Sequence, residues 1–419
     1  MNSISKFKIE IIISWIQILC MLGIALLLPF LPKYTPWLIT GLVTFFLLEG
    51  HFKEKWNLWK KNKFLWLIIT FYILHLFGML NTSNTESGFF DLQIKLPLLL
   101  LPFILSAPNE FVKKKSNFVV YAFIIGNLIA SVYCLHQAYH VATKYVEKGS
   151  WITWDYMQYD FLSVLLHPSY FSLYIFLCLC FIVHFLFRTK TNIFQKIVLG
   201  IVGLFFIAMT YLLSSRAGTI SFVFAAFIFI LSIRGRSVKI LVLKFGLIVL
   251  TVFLITYVVK NNYRFNFISQ LMNASNFKED LKTTNLRVPI WYSSTNVIKR
   301  NFIAGVGIGD VHQELNEEYI NNCYDVAFKA NLNAHNQFLE SMIAIGFFGG
   351  VILILIFYGI FKFALRKKNK ILFYLTITVF INFLFESMLN LQIGVIFISF
   401  FLPFIAFILK DSELEKINQ

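Results

Sequence analysis

Arg287-Val-Pro-Ile-Trp291, Gly305-Val-Gly307-Ile-Gly309 and Ala334-His335-Asn336-Gln337-Phe338-Leu339-Glu340 follow one another in a polar stretch, Lys260 to Gln337, lodged between long hydrophobic runs. Hydrophobic residues make up 58% of the chain and charged residues 14%, about half the charge a soluble domain carries. No aqueous core could bury that much apolar surface, so the flanking runs read as membrane helices. A hydrocarbon layer about 30 Å thick requires roughly 17 to 25 apolar residues per helix. About twelve runs qualify, near residues 10–30, 36–50, 64–80, 93–107, 117–139, 169–187, 195–213, 217–233, 241–259, 339–361, 371–387 and 391–409. The expected fold is all-α, a polytopic membrane protein with a helical cap formed by 260–337.

The first run follows Lys6 and Lys8 and has no small-residue cleavage site after it, which reads as an uncleaved signal anchor with a cytoplasmic N-terminus. Lys and Arg then concentrate in alternate loops, 51–63, 108–116, 188–196, 234–244 and 362–370, as the positive-inside rule requires of cytoplasmic segments. The C-terminus is expected on the same side, and the 260–337 stretch faces outward. Three parts follow: spans one to nine in 1–259, the outer loop with the active site in 260–337, and spans ten to twelve with a tail in 338–419. The net charge of +16 is thus mostly a topology device, and its dispersal over short loops argues against a nucleic-acid partner.

Cys20, Cys134, Cys178 and Cys180 fall in hydrophobic runs and Cys323 stands alone, so there is neither a disulfide framework nor zinc-like spacing. No internal repeat is visible, which argues against a secondary transporter built from two matching halves. A second outer loop, roughly 140–168, carries Trp151, Trp154, Asp155, Tyr156, Tyr159 and Asp160 before His167-Pro-Ser-Tyr170. Interfacial aromatics anchor such a loop at headgroup level; sugar stacking is the other use of these rings.

Asn285-Leu-Arg287-Val-Pro289-Ile-Trp291 reads as a helix start, with Thr283, Thr284 or Asn285 as cap and Pro289 in the first turn. Arg287, Trp291 and Ser294 then share a face. The planar guanidinium suits a phosphate through paired hydrogen bonds, and snorkelling to lipid phosphates is the alternative. The three alternating glycines lack the strand-turn-helix context of a dinucleotide loop. They let the backbone pass close to a bulky lipid-linked substrate or to another loop.

Asn333 is a good N-cap for the helix that becomes span ten, which puts His335 in its first turn on one face with Leu339 and Met342. The positive end of a helix dipole there favours the neutral imidazole a general base needs. A histidine merely hydrogen-bonded in the loop is the commoner fate. Ser214-Ser215-Arg216-Ala217-Gly218 separates two hydrophobic runs at the outer face, where a charge must be solvated or paired. Arg216 is a second phosphate candidate, Glu386 a partner for an arginine or a substrate, and Lys95 one more positive charge for the same surface.

Ser215-Arg-Ala-Gly218, Arg287 with Trp291, Gly305 to Gly309, and His335-Asn-Gln-Phe-Leu-Glu340, in that order and on one side, resemble the O-antigen ligase and polymerase superfamily over residues 200–400. The first half matches only as a string of spans. The resemblance implies a GT-C-like fold of about twelve spans in the bacterial inner membrane. It implies inverting, metal-independent glycosyl transfer at the periplasmic face, without a cofactor. The donor would be a polyprenyl-diphosphate-linked glycan, the acceptor lipid A-core or another glycan, with membrane lipids as surroundings. His335 would be catalytic, Arg216 and Arg287 would hold the diphosphate, and Trp291, Gly305, Gly307, Asn336 and Glu386 would support them. A polymerase using the same donor chemistry, or a non-enzymatic glycolipid flippase, are the alternatives.

Overall fold

The computed structural model describes residues 3–145, 157–187, 191–232, 241–242, 244–246, 249 and 286–409. These form helices α1 (Ser3–Leu27), α2 (Thr35–Glu49), α3 (Phe52–Trp59), α4 (Lys63–Gly78), α5 (Thr85–Lys95), α6 (Pro97–Ser106), α7 (Glu110–Tyr145), α8 (Tyr159–Leu162), α9 (Pro168–Leu186), α10 (Ile193–Leu213) and α11 (Arg216–Ser232). Numbered on over the described residues, α12 (Arg287–Arg300), α13 (Val311–Asn321), α14 (Asp325–Lys329), α15 (Gln337–Ile345), α16 (Phe347–Arg366), α17 (Lys370–Phe385) and α18 (Gln392–Pro403) follow. No strand occurs among the described residues. The protein is an all-α polytopic membrane protein. Among the described residues, seven helical segments are long and apolar enough to cross a bilayer, and 216–228, 370–385 and 392–408 are shorter apolar helices. The expected span at 241–259, the cap segment 260–285 and Trp151 to Tyr156 lie mostly or wholly outside the described residues.

Asparagines start many of these helices. Asn62, Asn84, Asn109, Asn192 and Asn369 each accept a backbone N–H three residues on, satisfying a donor that the first helical turn leaves unpaired. Within the bundle, glycines set close approaches: a Cβ on Gly126 of α7 would lie 2.3 Å from the Leu26 carbonyl oxygen of α1. Small residues at helix contacts take the place of the hydrophobic effect, which gives lipid-immersed helices no reason to associate. α9 is the central element, buried along most of its length and packed on α7, α10, α11 and α17. Two interior polar bonds tie the later spans together, from Asn382 Nδ2 to Ser221 Oγ at 3.1 Å and from the Tyr174 hydroxyl to the Ile393 carbonyl at 2.8 Å.

Two expected spans change. The run read as 93–107 begins at Thr85 and is split by Pro97 into α5 and α6. Its polar residues Asp91 and Lys95 pair with each other across one helical turn, so a hydropathy reading starts the span too late. Lys95 is thus buried in an ion pair and adds no charge to the outer surface. The run read as one helix over 339–361 is two, α15 and α16, broken at Gly346 with φ +67°. A side chain at Gly346 would lie 2.2 Å from the Ile303 carbonyl oxygen, a tertiary contact that hydropathy cannot register.

A second apolar core, including Ile290, Val297, Val311, Leu315, Tyr319 and Ile343, joins α12, α13 and α15. The connections around residues 50–62, 106–110 and 366–370 gather at one end of the bundle. There Asn109 bonds Ser14, Gln17 and Glu49, and the Phe64 ring meets those of Phe363 and Phe407. The N-termini of α9 and α11 and the C-terminus of α17 meet the 286–337 region at the opposite end.

Candidate active site

Glu386 follows the last residue of α17, with extended backbone and its N–H bonded to the Asn382 carbonyl. Its side chain is buried, and three donors converge on it. Oε1 accepts from Arg287 Nη2 at 3.0 Å and from Ser169 Oγ at 3.1 Å, while Oε2 meets His335 Nδ1 at 3.2 Å. Burial pushes the Glu386 carboxyl up, but the His335 hydrogen bond and the nearby His167, His335 and Arg287 outweigh it and hold the group below its ordinary value. A carboxylate here is therefore charged and fully engaged.

Arg287 is the first residue of α12, with Pro289 in the first turn as the sequence predicts; Leu286 supplies no side-chain cap. Its Nη2 also reaches the Phe385 carbonyl at 3.3 Å, and the guanidinium carbon lies 5.8 Å from the centre of the Phe385 ring. These contacts fix the guanidinium against the end of α17. The lipid-snorkelling alternative is thereby disfavoured, because the side chain points into a protein site. Trp291, one turn along, is partly buried, and its indole N–H has no hydrogen-bond partner among the described residues.

His335 lies outside the helix, contrary to the expectation. Asn336 is the N-cap of α15, accepting from Phe338 and Leu339 N–H at 2.9 and 3.1 Å, and Asn333 instead accepts the His335 N–H at 3.0 Å. The sequence offers two asparagines three positions apart, and the one nearer the helix caps it. His335 takes a left-handed conformation, φ +43°, which costs roughly 1–2 kcal/mol for a residue with a Cβ. Asn336 Nδ2 bonds the Leu384 carbonyl at 3.1 Å and Gln337 Oε1 accepts Leu389 N–H at 2.7 Å, so the segment is clamped to the 384–389 turn and the strain is held. Glu340 completes the clamp through Ala334 N–H, Ser387 and Asn390. A carboxylate only accepts, so Nδ1 carries a proton towards Glu386 and Nε2 of neutral His335 presents a lone pair.

Ser215 precedes Arg216 at the start of α11; its hydroxyl accepts Gly218 N–H at 3.1 Å and lies 3.3 Å from Ser169 Oγ. The Arg216 backbone is thereby brought to the same polar line, Ser215–Ser169–Glu386. Gly218 packs on Ser172, where a Cβ would come within 2.4 Å.

Gly305 and Gly307 do not face this line. Their positive φ values, +74° and +96°, let the backbone press against Ala344 and Thr82, and Val306 and Gly307 N–H groups bond the Ile343 and Ala344 carbonyls at the end of α15. Asp310 accepts Ser83 and Asn84 N–H at 2.6 and 2.8 Å. Of the two readings of the glycines, close approach to another loop is the one the structure supports. Ser169 and His167 join the site although the sequence reading assigns them no role; their only signal is His-Pro-Ser directly after the aromatic 140–168 loop.

The class defined here is an all-α polytopic membrane protein with a buried acid–histidine–arginine site where helix ends meet. Residues 200–354 match the family model described as O-antigen ligase, so this part of the chain is similar to the O-antigen ligase superfamily. This supports a glycosyltransferase-like enzyme of the ligase and polymerase type. No match was found among curated proteins. The matched stretch includes Arg216, Arg287 and His335, whereas His167, Ser169 and Glu386 lie beyond it.

Proposed function

We propose that this protein is an O-antigen ligase-like glycosyltransferase, moving a glycan from a polyprenyl-diphosphate carrier to lipid A-core or a similar acceptor at the periplasmic face of a bacterial inner membrane. The observation that carries this reading is the single carboxylate, Glu386, that engages both the arginine and the histidine. In the reaction His335 Nε2 takes the proton of the acceptor hydroxyl as its oxygen bonds to the anomeric carbon. The bond from that carbon to the diphosphate oxygen breaks with inversion, and the carrier diphosphate leaves with the electron pair. Glu386 holds the imidazole by Nδ1–H and stabilises the imidazolium that forms, the role an acid plays behind a catalytic histidine. Arg287, and Arg216 from the start of α11, offset charge developing on the leaving diphosphate.

The test is transfer by purified protein in detergent from a synthetic polyprenyl-diphosphate oligosaccharide, in EDTA, with lipid A-core or a second donor molecule as acceptor. Glycan on lipid A-core, lost in His335→Ala and Arg287→Ala, is the expected result. Extension of the donor chain instead would make the protein a polymerase. No transfer to either acceptor, with both variants binding donor as the wild type does, would overturn the site.

A further inference from the structure

The site holds a second imidazole in the opposite tautomeric state from the first. His167 is the N-cap of α9: its Nδ1 accepts the Ser169 N–H at 3.4 Å, with Pro168 at the first helical position. An acceptor nitrogen carries no proton, so neutral His167 has its proton on Nε2. Nε2–H makes no hydrogen bond to any described residue. The ring is half-buried, with Tyr159 and Tyr170 edge-on at 6.4 and 6.2 Å, and Ser169, two residues on, sends its hydroxyl to Glu386. Burial holds His167 below its ordinary value, with His335 and Arg287 acting the same way against the opposing charges of Glu386 and Asp160.

Resting on the proposed function, we infer that His167 is a substrate-contacting residue whose Nε2–H donates a hydrogen bond to the diphosphate oxygens of the donor. Two imidazoles then divide the work. His335, with Nδ1–H on the carboxylate, accepts a proton at Nε2. His167, with Nδ1 spent on the helix cap, can only donate. The surroundings favour an anionic oxygen as the acceptor of that bond, because Arg287 meets the same carboxylate as Ser169 and, of the two described anions that act on His167, Glu386 is already engaged by three donors and Asp160 makes no hydrogen bond to the imidazole among the described residues.

His167→Asn separates contact from capping. Asparagine caps a helix as well as any residue, so it keeps the acceptor for Ser169 N–H while withdrawing the imidazole N–H. Binding of farnesyl diphosphate to the full-length protein in detergent is the readout, with farnesol as the uncharged probe and melting temperature as the control for folding. The variant is expected to melt with the wild type and to bind farnesyl diphosphate about 10–100-fold more weakly, the usual effect of one hydrogen bond to a charged group, with farnesol unaffected. Equal farnesyl diphosphate binding by His167→Asn and wild type, with only His167→Ala impaired, would reduce His167 to a helix cap and overturn the inference. A loss that extends equally to farnesol would mean tail recognition and overturn it too. Wild-type protein that neither binds farnesyl diphosphate nor transfers glycan would instead overturn the proposed function and, with it, this inference.

Discussion

Glu386→Gln keeps the shape of the side chain and removes its ability to accept from both sides. In the native site Arg287 Nη2 and Ser169 Oγ share Oε1 at 3.0 and 3.1 Å, and His335 Nδ1 reaches Oε2 at 3.2 Å. A glutamine oxygen can serve the first pair, which leaves an NH2 donor facing Nδ1–H. Either the His335 contact breaks, or the imidazole moves its proton to Nε2 and Nδ1 becomes the acceptor. Both outcomes remove the held, basic Nε2. General-base catalysis contributes about 10²–10⁴-fold, so kcat should fall by that factor with the donor KM changed far less. The fold should suffer modestly. Removing one partner of a buried pair costs about 3–5 kcal/mol, but Gln still accepts from Arg287, whose side chain is 22% exposed, so about 1–2 kcal/mol is expected. Transfer kinetics with a labelled lipid-diphosphate oligosaccharide give kcat and KM, and a melting curve gives the loss of stability. Turnover by Glu386→Gln within a fewfold of wild type would refute the assignment of Glu386 as the group that orients the base.

Gly307→Ala should lower stability by about 2–4 kcal/mol, since φ is +96° and the new Cβ would lie 2.7 Å from Thr82 Cα; an unchanged melting temperature would refute the close-approach account. His167 has its folded value below the ordinary 6.5, so its contribution to stability is fully present above that pH and is lost as pH falls through the depressed value. Glu386, Asp160, His335 and Arg287 face it. The wild-type melting temperature should fall more steeply between about pH 7 and 5 than that of His167→Asn, and parallel curves would count against a buried neutral imidazole.

The spans and the late motifs were legible because each has a one-dimensional signature. A run of apolar residues is long enough for a bilayer, Asn precedes a helix, and Pro289 two residues past Arg287 marks the start of α12. The break at Gly346 was not legible, because its cause is the Ile303 carbonyl across the fold. Span four was read short because Asp91 and Lys95 count as polar one by one, while as a pair they are tolerated in the interior. Arg216, Arg287 and His335 stood out as charged or titratable residues at predicted interfaces. Ser169 and His167 did not, since a serine and a histidine at a helix start look like any cap until the fold brings Glu386 to within 3.1 Å.

Glu386 also changes where the chemistry is anchored. A polar stretch between membrane runs invites the reading that the loop contains the active site, yet Arg287 and His335 are fixed by contacts to the ends of spans. Arg287 binds the Phe385 carbonyl and Glu386, His335 binds Glu386, and Asn336 binds the Leu384 carbonyl, all at the terminus of α17. Ser169 brings in α9, and through Ser215 the start of α11. Charge inside the hydrocarbon is expensive and loops alone are soft, so the junction between them is where a buried carboxylate can be both compensated and rigidly held. The segment 286–337 supplies the guanidinium and the imidazole, while the membrane helices set the distance between them.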